Sequence, residues 1–151
     1  MYKRQDLDAS SMAVWKGDTV KLKIIASGKM PMTYWWEFNE EYEGDNGETY
    51  EIKSFKTGDA GKYTGRARNE EGEDSTFITL TMRNPGFNSV TLNKDKSLTL
   101  NIDAPIGRQV ILERSANLSN WKEAKRLVHD GSQISIPSNI GDKFFYRFKV
   151  E

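Results

Sequence analysis

Cysteine is absent from all 151 residues, which removes disulfide, thiolate and zinc–thiolate chemistry together. Histidine occurs once, as His129. It stands beside Asp130 with Ser132 nearby, but no G-x-S-x-G surrounds that serine, so an ordinary turn accounts for it better than a hydrolytic relay. No apolar run approaches the roughly 18 residues that a membrane helix needs. Neither sign of charge dominates: Lys plus Arg and Asp plus Glu number 22 each, which argues against the broad basic footprint of a nucleic-acid binder. Paired carboxylates, a Gly-rich phosphate loop and metal-ligand spacing do not stand out either. The expectation is therefore a chain that is not an enzyme and holds no cofactor.

The start, Met1-Tyr2-Lys3-Arg4-Gln5, is polar and no apolar h-region follows it, so it does not read as a secretory signal. Residues 1–11 read as an N-terminal extension, compatible with a cloning remnant or with a fragment cut from a longer secreted chain.

What is present is period-2 alternation, with no convincing amphipathic helix. Val20, Leu22, Ile24 and Ala26 share one face of a strand, and Tyr34, Trp36 and Phe38 share one face of another. Tyr50 with Ile52, then Tyr63, Gly65 and Ala67, then Phe77, Leu80 and Met82 extend the series, the last with a slip of register. Ser27-Gly28, Gly44-Asp45-Asn46-Gly47, Gly58-Asp59 and Glu71-Gly72 are the turn signals between them. The pattern predicts an all-β sandwich. Its middle is compressed, because the strand starting near Glu48 follows so soon after Phe38. Strands C′ and D should be short or absent.

One stretch is more specific. Asp59-Ala60-Gly61-Lys62-Tyr63-Thr64-Gly65-Arg66-Ala67-Arg68-Asn69 with Gly72, preceded by Gly17-Asp18-Thr19-Val20-Lys21-Leu22-Lys23-Ile24 and Trp36, resembles an intermediate-set immunoglobulin domain. The two cysteines of that family are replaced by Ile24 and Gly65. The resemblance implies that Asp59 caps a turn, that Tyr63 forms the corner whose hydroxyl returns to backbone, and that Trp36 is the core tryptophan. Trp36 would pack on Ile24 and on the space that Gly65 leaves. A lost disulfide forgoes about 2–4 kcal/mol, yet the chain then needs no oxidising compartment to fold. That suits bacterial or viral assembly better than an animal cell surface.

Arg83-Asn84-Pro85-Gly86 reads as a linker, since proline cannot continue a ladder. A second strand series follows over 87–92, 97–102, 109–115, 121–128, 133–136 and 144–150. Breaks fall at Asn93-Lys94-Asp95, Ala104-Pro105-Ile106-Gly107, His129-Asp130-Gly131 and Asn139-Ile140-Gly141-Asp142. Leu112-Glu113-Arg114-Ser115, Asn117-Leu118-Ser119-Asn120-Trp121 and Phe144-Phe145-Tyr146-Arg147 resemble a short fibronectin-like β-sandwich module found at the C-termini of bacterial exported proteins. Trp121, Phe144, Tyr146 and Phe148 should mostly fill its core, with Phe145 on the alternate face. The expected organisation is an extension at 1–11, an immunoglobulin-like sandwich at 12–83, a linker at 84–86 and a fibronectin-like sandwich at 87–151.

Alternation sends Trp35 to the face opposite Trp36. With Tyr42 nearby, it is the candidate contact surface for a protein or a glycan. Glu40, Glu41, Glu43, Asp45, Asn46 and Glu48 offer hard oxygen ligands, but without the D-x-[DN]-x-[DN]-G spacing a solvated acidic loop is the reading. Lys62, Arg66, Arg68 and Arg83 face Glu70, Glu71, Glu73 and Asp74, so cross-strand pairs are expected rather than a basic patch. The function this predicts is a structural or adhesive module of a bacterial or phage surface assembly, extracellular or on a cell or virion surface. It would act through a protein partner or through self-assembly. The alternative is a carbohydrate-binding accessory domain of a larger exported enzyme, with a surface glycan as partner. Neither nucleic-acid binding nor membrane insertion is expected.

Overall fold

A computed structural model of the chain describes residues 11–45, 47–137 and 144–151. Residues 1–10 of the expected extension 1–11, Asn46 and the break at Asn139-Ile140-Gly141-Asp142 lie outside the described residues, and Ser11, the last of that extension, belongs to the first strand. The chain is all-β and divides into two compact units between Arg83 and Asn84.

The first unit contains β1 (Ser11–Trp15), β2 (Val20–Lys23), β3 (Thr33–Phe38), β4 (Glu41–Asp45), β5 (Thr49–Ile52), β6 (Gly61–Asn69) and β7 (Gly72–Arg83). One sheet has five strands in the order β1-β7-β6-β3-β4, with β1 parallel to β7 and the rest antiparallel. The other is the antiparallel pair β2-β5. Alternation brings Val20, Leu22 and Ile52 from the pair onto Trp36, Tyr63, Ala67, Ile78 and Leu80 from the five-stranded sheet, with Phe55 wholly buried among them. Strand β2 ends at Lys23, but Ile24 stays in the core and its N–H donates to Glu48 O at 2.7 Å.

Two local expectations are corrected. The acidic segment is not a loop: Glu41–Asp45 forms β4, an edge strand whose Glu41 and Tyr42 pair with Phe38 and Glu37. Strand C′ is therefore present, whereas no strand D lies between β4 and β5 among the described residues. In β7 the register against β6 runs without a shift. Ile78, Leu80 and Met82 face inward and Phe77 faces outward, so the slip inferred from Phe77 does not occur.

The cysteine-less centre is tightly filled. Trp36 is 2% exposed. A β-carbon added at Gly65 would lie 2.6 Å from Ile24 Cγ1, 3.0 Å from Ile24 Cδ1 and 3.1 Å from Trp36 Cη2. Glycine is thus what lets Ile24 and Trp36 share the volume of a disulfide. A similar crowding holds Gly61, where a β-carbon would meet Phe38 Cε2 at 2.5 Å. Between β5 and β6 a 3-10 turn spans Thr57–Asp59. Asp59 Oδ2 accepts from Lys56 N at 2.9 Å, and the Tyr63 hydroxyl donates to Asp59 O at 2.8 Å. Burial, chiefly, pushes the Tyr63 phenol up.

The second unit contains β8 (Gly86–Leu92), β9 (Leu98–Asp103), β10 (Gln109–Ser115), β11 (Lys122–Val128), β12 (Ile134–Ile136) and β13 (Phe145–Val150). Strand β8 thus begins inside the stretch read as linker. Two three-stranded antiparallel sheets, β12-β9-β8 and β11-β10-β13, enclose Leu100, Ile102, Ala104, Val110, Leu112, Ile134 and Ile136. Two contacts fix how the sheets stack. Phe87 of β8 meets Phe148 of β13 edge-on at 4.9 Å, and Lys125 Nζ of β11 donates to Ser135 O of β12.

Trp121 is not a core residue. Its ring is half-buried under the Arg147 guanidinium, 4.2 Å from the centroid, and its Nε1 donates to Leu118 O at 3.0 Å. The turn Asn117-Leu118-Ser119-Asn120, tied by Asn117 Oδ1 to the N–H groups of Ser119 and Asn120, places Trp121 just before β11. There it lies against the outward side of β13. Of the aromatic run, Tyr146 and Phe148 pack on the core and Phe145 is exposed, while Phe144 lies beneath the Arg114 guanidinium.

Candidate interaction surface

The outer face of the five-stranded sheet carries the residues singled out for contact. Trp35 pairs with Arg66 of β6, which pairs in turn with Ser75 of β7. The next row on this face runs from Tyr42 through Glu37 and Thr64 to Phe77. Tyr42 thus stands one row along from Trp35, as the alternation implies. Trp35 itself is half-buried rather than fully open. Tyr42 is 64% exposed and Phe77 45%.

The polar part of the face is organised around Arg66. Its Nε donates to Glu37 Oε1 at 2.7 Å and its Nη1 to Glu73 Oε1 at 3.0 Å. The Glu37 hydrogen bond is the main influence raising the Arg66 pKa, against an opposing pull from desolvation. Ion pairs this close to solvent contribute about 1 kcal/mol or less. They tie Arg66 to β3 and β7 on the face that Trp35 shares. Lys62 Nζ lies 4.8 Å from the Phe77 ring centroid. Thr64, which the register sets between Glu37 and Phe77, is buried although it lies on the outer face.

Two other basic residues of this unit have partners. Lys29 Nζ pairs with Glu70, and the Arg83 guanidinium lies 4.5 Å from the Trp15 ring centroid. Of the basic residues expected to pair with Glu70, Glu71, Glu73 and Asp74, Arg66 does so through Glu73, whereas Lys62 and Arg83 lie against aromatic rings. Phe77 and the acceptor Glu37 are not marked as contact residues by the sequence, whereas Glu73 is among the acids expected opposite Arg66. Phe77 was assigned to the core by its apolarity, and only the β6–β7 register shows its face.

His129 does not form a relay with Asp130. Asp130 Oδ1 accepts from Ser132 N at 2.8 Å, and hydrogen bonding from the Ser132 side chain, then from its N–H, lowers the carboxyl pKa. The imidazole is buried, with Nδ1 lacking a hydrogen-bond partner. No group of three or more His, Asp or Glu side chains suited to a metal occurs among the described residues. Beside β2, a cleft of about 160 Å³ is lined by Met12, Leu22, Trp36, Tyr63 and Ile78 among others. Lys21, Lys23, Thr76 and Phe77 complete its lining, and no acid or histidine is among them.

Fold and surface together define a pair of disulfide-free β-sandwiches, immunoglobulin-like then fibronectin-like. No protein-family model matches the chain. Among curated proteins it is similar to the muscle M-line assembly protein unc-89 of Caenorhabditis elegans, at 32% identity over 97 residues. That match covers 59% of this chain and 1% of that protein. Among solved structures, immunoglobulin domains 1–4 of Sidekick-1 superpose over 99% of this chain and 42% of theirs, with a TM-score of 0.51 at 16% identity. A second Sidekick-1 structure, of domains 1–5, gives 0.51 at 15% identity over 99% of this chain and 34% of its own. These likenesses are to the fold. The chain spans a small fraction of unc-89 and less than half of the Sidekick-1 chains.

Proposed function

We propose that this chain is a non-enzymatic protein-contact module of a larger assembly. Its principal contact surface is the outer face of the five-stranded sheet, around Trp35, Tyr42 and Phe77. The observation that carries the reading is the composition of that face: three aromatic side chains around an arginine already held by two carboxylates. Tyrosine, tryptophan and arginine dominate the energetics of protein interfaces, and an ordered arginine loses little further entropy on binding. Likeness to a protein whose name records assembly of the muscle M-line supports the assembly part of the reading. A bacterial or phage surface remains our proposed setting, because replacing both cysteines frees folding from any redox requirement.

The glycan alternative needs a flat ring open to solvent with free polar groups at its rim. Trp35 is half-covered and Arg66 is engaged, which favours protein over sugar.

The test is the mass of the chain in solution by light scattering across a concentration series, with Trp35→Ala and Tyr42→Ala beside it. A discrete oligomer or growing polymer, reduced to monomer by Trp35→Ala, is the expected result. A monomer at every concentration, unaffected by either change, would refute self-assembly through this face. A glycan-array signal lost in the same variants would favour the carbohydrate reading.

A further inference from the structure

The second unit carries a contact of a different kind. The register pairs Val90 with Leu100 and Leu92 with Leu98, so Val90 and Leu92 point to the same side of their sheet as the core leucine Leu100. Residues on that side should be covered. Instead Val90 is 56% exposed and Leu92 67%. The opposing sheet explains why. It ends at β13, whose Phe148 meets Phe87 of β8 edge-on. Beyond β13 nothing covers the inner side of β8 among the described residues. The inward side chains of β13, Tyr146, Phe148 and Val150, are themselves only half-buried.

Beside this open trough, the second edge of β13 pairs with no described strand. An unpaired edge displays a row of N–H and C=O groups ready to accept another strand. The trough and the edge are adjacent, so one added strand would complete both. Its backbone would pair with β13, and its alternate side chains would cover Val90 and Leu92.

Charge decides what that strand carries on its other side. Strand β13 presents Arg147 and Lys149 outward, and both lean on a single acid, Glu113, at 2.6 and 2.8 Å. Two cations share one carboxylate, so acidic side chains on an adjoining strand complement this edge. No described strand of the chain itself alternates acids with large apolar residues. The nearest, β4, has Glu41, Glu43 and Asp45 but only Tyr42 and Gly44 between them.

We infer that the free edge of β13, with Val90 and Leu92, is a strand-addition site for an extended segment of another protein that alternates apolar and acidic residues. This rests on the reading of the chain as a protein-contact module and adds a second site, remote in sequence from Trp35.

The probe is a capped synthetic peptide, Thr-Val-Glu-Val-Glu-Val-Thr, titrated into the isotope-labelled full chain and followed by amide NMR and hydrogen exchange. The expected result is saturable shifts confined to β8 and β13, with new protection at alternate β13 amides. Leu92→Lys, an exposed change whose fold is checked by its melting curve, should weaken binding by about tenfold or more, because docking would bury the introduced charge. Lys149→Glu should weaken it too, and added salt should do the same. No shifts in β8 and β13 at millimolar peptide would overturn the inference. So would equal binding of a block isomer, Val-Val-Val-Glu-Glu-Thr-Thr, or shifts mapping to the first unit. Concentration-dependent self-association abolished by Leu92→Lys would assign the trough to a second copy and overturn the proposed occupant. Trp35→Ala should leave peptide binding unchanged, so failure of the first-unit surface and failure of this site read out separately.

Discussion

Restoring the missing crosslink tests the packing argument at the centre of the first unit. In the double variant Ile24→Cys/Gly65→Cys, the added β-carbon at 65 lies 2.6 Å from the present Ile24 Cγ1, and Ile24 Cβ is more distant than the 3.1 Å of the third-nearest atom. The two β-carbons are therefore between 3.1 and about 4 Å apart, which overlaps the roughly 3.5–4.5 Å that a disulfide spans. Removing the Ile24 branches clears the atoms that crowd position 65. Trp36 Cη2, at 3.1 Å, must yield only a few tenths of an ångström. The crosslink closes a long loop, so the oxidised form should exceed the reduced form of the same variant by about 2–4 kcal/mol. At roughly 4–8 °C per kcal/mol for a unit of this size, the melting temperature should rise by about 8–32 °C. Three of the four tryptophans, Trp15, Trp35 and Trp36, lie in the first unit, so tryptophan emission during heating follows it selectively. Gly65→Ala alone is the companion: it adds the β-carbon without clearing Ile24 and should cost about 1–3 kcal/mol through overpacking. Failure of the thiols to oxidise in the folded chain would refute the geometry. So would equal melting of oxidised and reduced forms, or a neutral Gly65→Ala.

Two further outcomes follow from the same structure. Trp36→Ala should cost about 3–5 kcal/mol as a core truncation, whereas Trp121→Ala should cost about 1 kcal/mol, because its ring meets an exposed guanidinium rather than a core. Equal losses in denaturant titration would contradict the placement of Trp121. The Tyr63 phenol is raised above its ordinary value near 10, so the unfolded chain ionises first as pH climbs. Its contribution is complete below the unfolded value and is lost as pH rises from there through the folded value. First-unit stability should thus fall on the alkaline side, and Tyr63→Phe should flatten that fall. The same variant should lose about 1 kcal/mol at neutral pH, with the hydrogen bond to Asp59 O. An unchanged alkaline slope in denaturant titrations would sink the assignment.

How much of this was legible in the sequence differs from residue to residue. The roles of Asp59, Tyr63 and Trp36 are what the resemblance to an immunoglobulin domain implies; in the structure Asp59 accepts from Lys56 N, the Tyr63 hydroxyl donates to Asp59 O and Trp36 is buried. The exchange of two cysteines for Ile24 and Gly65 could be recognised because residues far apart in the chain occupy fixed places in one pattern. Trp121 and Phe77 could not be placed, because apolarity alone does not distinguish a core side chain from one lying under a cation on an outer face. The acidic run 40–48 looked like a loop because its charge hid the pairing of Glu41 and Tyr42 with β3.

The class of fold, the absence of a disulfide and the side of each strand that could face a core follow from residue type and a period of two. Only the tertiary structure decided which of those sides were covered. Val90 and Leu92 carry the same alternation as buried strand residues, yet they lie open because the opposing sheet ends at β13. Coverage depends on how many strands each sheet assembles and where the last one stops, and no single strand's own residues encode that.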